Sequence, residues 1–334
     1  MKAKRLLIVA TAVLLAAAGC SPGGGWVIKP APTSDELKET TIATDEGLFV
    51  GDKVLVLDVD GLLFNERNTG LFSSGENPVS LFVEKLDRAE ADAAVKAVVV
   101  RINSPGGGVT ASDIMYRRLA ELRAARGVPV IAIIEDVGAS GAYYIACAAD
   151  QIIAHPTSVT GSIGTIVQTV SLSGTMKLLR IDARAVTSGP KKDMASPFKP
   201  LDKEDLAILQ GMVDEYYRRF VDVVAAARSE LPREQIETLA DGRVYTGRQA
   251  LDNGLVDELG YMDDAVRLAK ELAGAKRVRI VMYHRPLGYR ANVYSAAPAA
   301  PVAGQVNLVN ISAAEVLSAV QPRFLYLWTG HSYR

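Results

Sequence analysis

The sequence predicts an α/β fold with a parallel sheet and flanking helices. Strand-like apolar runs alternate with helical patterns along most of the chain, and two of those runs end in glycine-rich turns. Repeated strand-then-helix units are joined by crossovers, which give parallel strands. At 334 residues with 49% hydrophobic composition, the chain is long enough to bury a full core.

The first core strand is Lys53–Val59 (KVLVLDV), β-branched and bounded by Gly61. Pro78–Ala94 follows as a helix, with Leu81, Leu86 and Ala89 at helical spacing. Val95–Ile102 (VKAVVVRI) is a buried strand that runs into Ser104-Pro105-Gly106-Gly107-Gly108. A helix over Ala111–Ala125 and a strand over Val128–Ile134 come next. Gly138-Ala139-Ser140-Gly141 then opens a small-residue helix reaching Ala149. One long helix spans Asp202–Ser229, with Leu206, Leu209, Val213, Tyr216, Phe220 and Val224 as its buried stripe. Arg279–Val281 is the last core strand. Ala296–Gly304 (AAPAAPVAG) is linker, and Ile311–Val320 with Phe324–Trp328 is apolar enough to require a partner surface.

A formal net charge of −1 and an aromatic content of 6% exclude a generic nucleic-acid binder, since no basic excess neutralises phosphates. The N-terminus carries Lys2, Lys4 and Arg5, an apolar run from Leu6 to Ala18, then Gly19 and Cys20. That is the pattern of a secretory signal peptide, and the run falls short of the about 20 residues a membrane span needs. Cys20 directly after small residues resembles a lipoprotein acylation site, and two acyl chains would anchor the chain stably. The segments expected are a leader at 1–19, a lipidated tether and N-terminal segment at 20–52, a catalytic domain at 53–283, and a linker and apolar tail at 284–334, the tail expected as an oligomer contact. With Cys20 acylated, Cys147 has no disulfide partner and reads as a small packing residue.

Only three histidines occur, His155, His284 and His331. No pair has ligand spacing, so the sequence offers no clustered metal site and no cofactor fingerprint. His284 and His331 read as surface residues. Glycine turns at strand C-termini let backbone amides approach a ligand or a developing oxyanion, and neither turn has dinucleotide or P-loop spacing. Ser140, at a strand-to-helix turn between Gly138 and Gly141, has the setting of a nucleophile. Serine needs a base to take its proton. His155 is one candidate. A lysine kept neutral by burial is the other, and spacing alone does not separate Lys191, Lys192 and Lys199.

Five segments together resemble the signal peptide peptidase A family, also called protease IV. They are Val95–Val109 (VKAVVVRINSPGGGV), Val137–Asp150 (VGASGAYYIACAAD), Ser158–Gly164 (SVTGSIG), Ser188–Phe198 (SGPKKDMASPF) and Asp241–Gly260 (DGRVYTGRQALDNGLVDELG). The resemblance spans Lys53–Tyr283 and departs modestly at Pro190-Lys191. It implies a ClpP/crotonase-like fold and no cofactor. Ser140 is then the nucleophile and Lys192 the general base, with Ser162 orienting the lysine amine. Amides of Gly107 and of Ser140 or Gly141 form the oxyanion hole. The implied partners are peptide substrates, cleaved signal peptides among them, a membrane reached through Cys20, and further copies in a ring-like homo-oligomer. In such rings Ser and Lys can come from neighbouring subunits. The implied location is the extracytoplasmic side of a bacterial envelope membrane. Two other functions share such a scaffold: a crotonase-like acyl-CoA enzyme and a non-catalytic envelope lipoprotein.

Overall fold

The computed structural model describes residues 36–66, 76–285 and 323–330, together with the backbone of two-residue strands at 69–70 and 73–74. The leader, Cys20, the linker at 296–304, the 311–320 segment and His331 lie outside the described residues.

In chain order the elements begin with β1 (Lys38–Thr44), β2 (Lys53–Asp60), β3 (Thr69–Gly70), β4 (Ser73–Ser74) and α1 (Pro78–Ala91). Then come β5 (Val95–Ser104), β6 (Gly106–Gly108), α2 (Val109–Arg126), β7 (Val130–Ala139) and α3 (Gly141–Ala146). β8 (Gln151–Ala154), β9 (Val159–Gly161), β10 (Ile166–Gln168), α4 (Ser173–Leu178) and α5 (Lys203–Ala227) follow. The chain continues with α6 (Arg233–Leu239), β11 (Val244–Thr246), α7 (Gly247–Asp252), β12 (Glu258–Leu259), α8 (Met262–Leu272), β13 (Arg279–His284) and β14 (Arg323–Leu327).

The main sheet runs β1-β13-β2-β5-β7-β8-β12, with β9 branching from β7 to β11. From β13 through β12 every neighbouring pair is parallel, the α/β class that the strand–helix alternation predicts. Side-chain alternation explains the two cores. Leu55, Leu57 and Val59 of β2, with Val98, Val100 and Ile102 of β5, pack against the helices of one face. Val54, Val56, Ala97 and Val99 point the other way, onto Met262, Ala265, Val266 and Ala269 of α8.

Local chemistry sets the ends. Asn77 caps α1, its side chain accepting from the Val79 and Ser80 amides, with Pro78 at the first helical position. α2 stops at Gly127, whose φ of 60° suits glycine. In α5, Leu209, Phe220 and Val224 are buried as expected, but Leu206 is 54% exposed. Only the C-terminal half of that helix lies on the core.

Three expectations are corrected. The catalytic domain does not start at residue 53, because β1 adds an antiparallel edge strand paired with β13. His284 is not a surface residue: it is buried, and its Nε2 lies 2.7 Å from Thr40 Oγ1 of β1. The apolar stretch at Phe324–Trp328 does find a partner surface, on its own chain. β14 lies between β10 and β6 in a separate three-stranded antiparallel sheet, and Tyr326 is fully buried.

Candidate active site

Ser140 sits where β7 gives way to α3. Its φ of 54° and ψ of −118° fall outside the regions L-residues favour. The turn is held from both sides: the Ser140 amide donates to Gly161 O at 2.7 Å, and its carbonyl accepts from Tyr144 N at 2.9 Å. The residue is 1% exposed, yet it lines a cavity of about 500 Å³ with Ser162, Gly164, Thr165 and Asp241.

Ser162 reaches the same cavity for a register reason. Parallel pairing of β7 with β9 sets Val137 opposite Val159, Gly138 opposite Thr160 and Ala139 opposite Gly161. The ladder ends there, and the residue that follows on each strand, Ser140 on one and Ser162 on the other, lines the same cavity. Ser162 also has a positive φ, 50°, and its amide donates to Arg243 O at 2.8 Å. Arg243 belongs to the Asp241–Gly260 segment, so three of the family-like segments meet here.

The two glycine turns converge on one another. A methyl built on Gly106, whose φ is 96°, would stand 2.6 Å from Gly141 N, and one on Gly107 would stand 2.1 Å from Leu63 O. Glycine is required at both. The Ser140 amide is already spent on Gly161, whereas the Gly141 amide opens α3 without an intrahelical acceptor.

The base candidates separate clearly. His155 Nδ1 lies 2.8 Å from Thr157 Oγ1, its ring stands edge-on to Tyr261, and it does not line the Ser140 cavity. Lys191 is held by Glu204 and Asp205, each at 2.9 Å, and these hydrogen bonds push its pKa well above the ordinary lysine value. Lys199 bonds Asp193 at 2.8 Å and Asp205 at 3.2 Å, which raises its pKa too. Both are locked as cations and unsuited to accept a proton. Lys192 is exposed; its amide donates to Gly189 O at 3.1 Å, while its side chain makes no hydrogen bond or ion pair among the described residues. It is not among the residues lining the cavity.

Cys147 is buried, and burial pushes its thiol up to about 12, which makes it a packing residue. Among the described residues no group of three or more His, Cys, Asp or Glu side chains is placed to hold a metal ion.

Comparison with known proteins places the chain in a family. The description of peptidase family S49 matches residues 123–276. A protein named signal peptide peptidase SppA from Enterococcus faecium is 35% identical over 71% of this chain and 68% of its own length. A protein named as a protease, from Methanocaldococcus jannaschii, is 37% identical over 71% of this chain and 76% of its own. The chain belongs to peptidase family S49. It is a serine protease. Protease 4 of Salmonella typhi is 36% identical over 70% of this chain, which spans 37% of that longer protein.

Sequence reasoning did not find β14 at this cavity. Leu327, Trp328 and Thr329 line it, and the only signal was the apolar character of Phe324–Trp328.

Proposed function

We propose that this protein is a membrane-tethered endopeptidase whose dyad, Ser140 and Lys192, is completed between neighbouring copies. The observation that carries the reading is the contrast within one chain. A buried, conformationally constrained serine faces a cavity that no described lysine or histidine lines, while Lys192, whose side chain is unpaired among the described residues, is exposed in the 188–198 loop.

The surface around that lysine supports assembly. α4 has no buried residue. Leu178 is 83%, Leu179 63% and Ile181 53% exposed, next in sequence to the Lys192 loop. Contiguous exposed apolar side chains mark an interaction surface, and a ring of copies would cover them. Docked on a neighbour, Lys192 would lose water, and desolvation favours the neutral amine a base requires.

The chemistry is then ordinary acyl transfer. Neutral Lys192 takes the Ser140 proton as Oγ attacks the peptide carbonyl, and Gly107 and Gly141 amides bind the oxyanion. The lysinium returns its proton to the leaving amine, and water, deprotonated in turn by Lys192, releases the acyl group. Ser162 orients the lysine. The substrates are hydrophobic peptides of the cell envelope, released signal peptides among them, reached from a lipidated Cys20.

The test is covalent labelling of Ser140 by a fluorophosphonate. Labelling is expected in the wild type and lost in Lys192→Ala, while Lys191→Ala and His155→Ala keep it. A folded His155→Ala that fails to label would transfer the base role to that histidine.

A further inference from the structure

We infer that Asp205 is the positioning residue of the general base, fixing the loop that carries Lys192 to the first turn of α5. The inference rests on the Ser140–Lys192 dyad and adds to it the group that aims the lysine.

Lys192 has a tied residue on either side of it. Before it, Lys191 Nζ lies 2.9 Å from Asp205 Oδ1, 2.9 Å from Glu204 Oε2 and 3.5 Å from Asp202 Oδ1. After it, Asp193 Oδ1 accepts from Lys199 Nζ at 2.8 Å, and the same ammonium stands 3.2 Å from Asp205 Oδ2. Both branches end on one carboxylate. Asp205 is fully buried, and its amide donates to the helix cap, Asp202 Oδ1, at 2.7 Å. The Lys191 ammonium, with Lys199 beside it, holds its carboxyl below the ordinary aspartate value. A buried carboxylate persists only when paired, and the partners of this one are the two lysines that bracket the base. Between them the backbone winds in successive turns: Lys192 N donates to Gly189 O, Met194 N to Lys191 O and Ser196 N to Asp193 O, at 3.0–3.2 Å.

The choice of anchor follows from where α5 runs. Its first turn holds Asp205, while Val213, Asp214 and Tyr217 farther along line the Ser140 cavity. Phe220, Val221 and Val224 then fix the helix in the core. At 1.5 Å per residue, Asp205 and Asp214 are about 14 Å apart along the axis. One rigid helix thus carries the base loop at one end and a cavity wall at the other. The segment before the loop offers no such support, because no residue of α4 is buried. Misplacing a reacting group by about 1 Å costs on the order of 100-fold in rate, so a lysine on a surface loop needs an anchor of this kind.

Asp205→Asn keeps the shape and removes the charge. It is expected to lower kcat about 10-fold or more while KM and sedimentation stay as in the wild type, and Asp205→Glu should recover part of the loss. Lys191→Ala keeps most of its rate, since the Lys199 branch still holds. The deciding comparison is made in Lys192→Ala, with methylamine added to raise its residual turnover. There Asp205→Asn should change the rate by less than about 2-fold, because a base supplied from solution needs no loop to aim it. Should Asp205→Asn fail to fold, the triple variant Asp205→Asn/Lys191→Gln/Lys199→Gln, which strands no charge, takes its place in both backgrounds. An equal fall with and without Lys192, or a wild-type kcat in the folded variant, would overturn the inference and leave Asp205 a structural residue. Undiminished turnover in Lys192→Ala would instead sink the dyad beneath it.

Discussion

The two residues assigned to the dyad live in opposite surroundings. Ser140 ends a strand buried on both faces, is fixed by backbone bonds on either side, and is 1% exposed. Lys192 lies in a turn-rich loop beside α4, a helix with nothing buried, and it is itself exposed. Nucleophile and oxyanion amides need positions fixed to a fraction of an ångström, which a parallel sheet supplies. A base that must lose its hydration needs a covering surface, and under the proposed reading a second molecule provides it.

The sharpest way to break that contrast is to mix two dead proteins. Ser140→Ala and Lys192→Ala should each lose nearly all peptidase activity. If the base crosses between copies in a ring, an equal mixture reassembled from subunits should regain about one site in four, read as peptide turnover. A dyad within one chain would regain nothing.

Stability should show the same asymmetry. Arg228 is buried, bonds Asp257 at 2.6 Å, and Asp257 in turn accepts from the Ile152 amide at 2.6 Å. Asp257→Ala strands that guanidinium and should cost about 3 kcal/mol in urea unfolding. In the lysine region, Leu178→Ser should leave stability of the separated chain within about 0.5 kcal/mol. It should nevertheless weaken assembly, seen by sedimentation as a shift toward smaller species.

The smallest effect concerns Glu135, whose pKa burial holds above the ordinary value, with Arg101 opposing. One of its oxygens is buried without a hydrogen-bond partner. The folded chain holds that proton more tightly than the unfolded chain, so this group makes stability fall as pH rises above the usual glutamate range. Glu135→Gln should raise the melting temperature at neutral pH, with the gain fading as acid protonates the wild-type carboxyl.

The sequence was most legible where one physical rule dominates. β2, β5 and β7 are β-branched runs because both faces are covered, and such runs announce themselves. β1, by contrast, has no fully buried residue, so its sequence, KETTIAT, resembles a polar tether. Burial of His284 follows from that unseen strand. β14 was visible as apolar, but its partner β6 is three glycines, which leave no side-chain pattern to match. Among the lysines, spacing was silent. What separates Lys191 and Lys199 from Lys192 is Asp205, contributed by the first turn of α5 and visible only once that turn is folded.

The backbone at Ser140 has a further consequence. A serine with φ of 54° and ψ of −118° stands where glycine belongs, at a cost of about 1–3 kcal/mol. Exchange to alanine destroys the nucleophile and keeps the strain, whereas exchange to glycine destroys it and lets the strain go. Inactivation by that second route is downhill for folding. A descendant freed from hydrolysis could drift to glycine here and become a sturdier protein. The serine is therefore a standing load on the fold, kept under the proposed reading only by the reaction assigned to it.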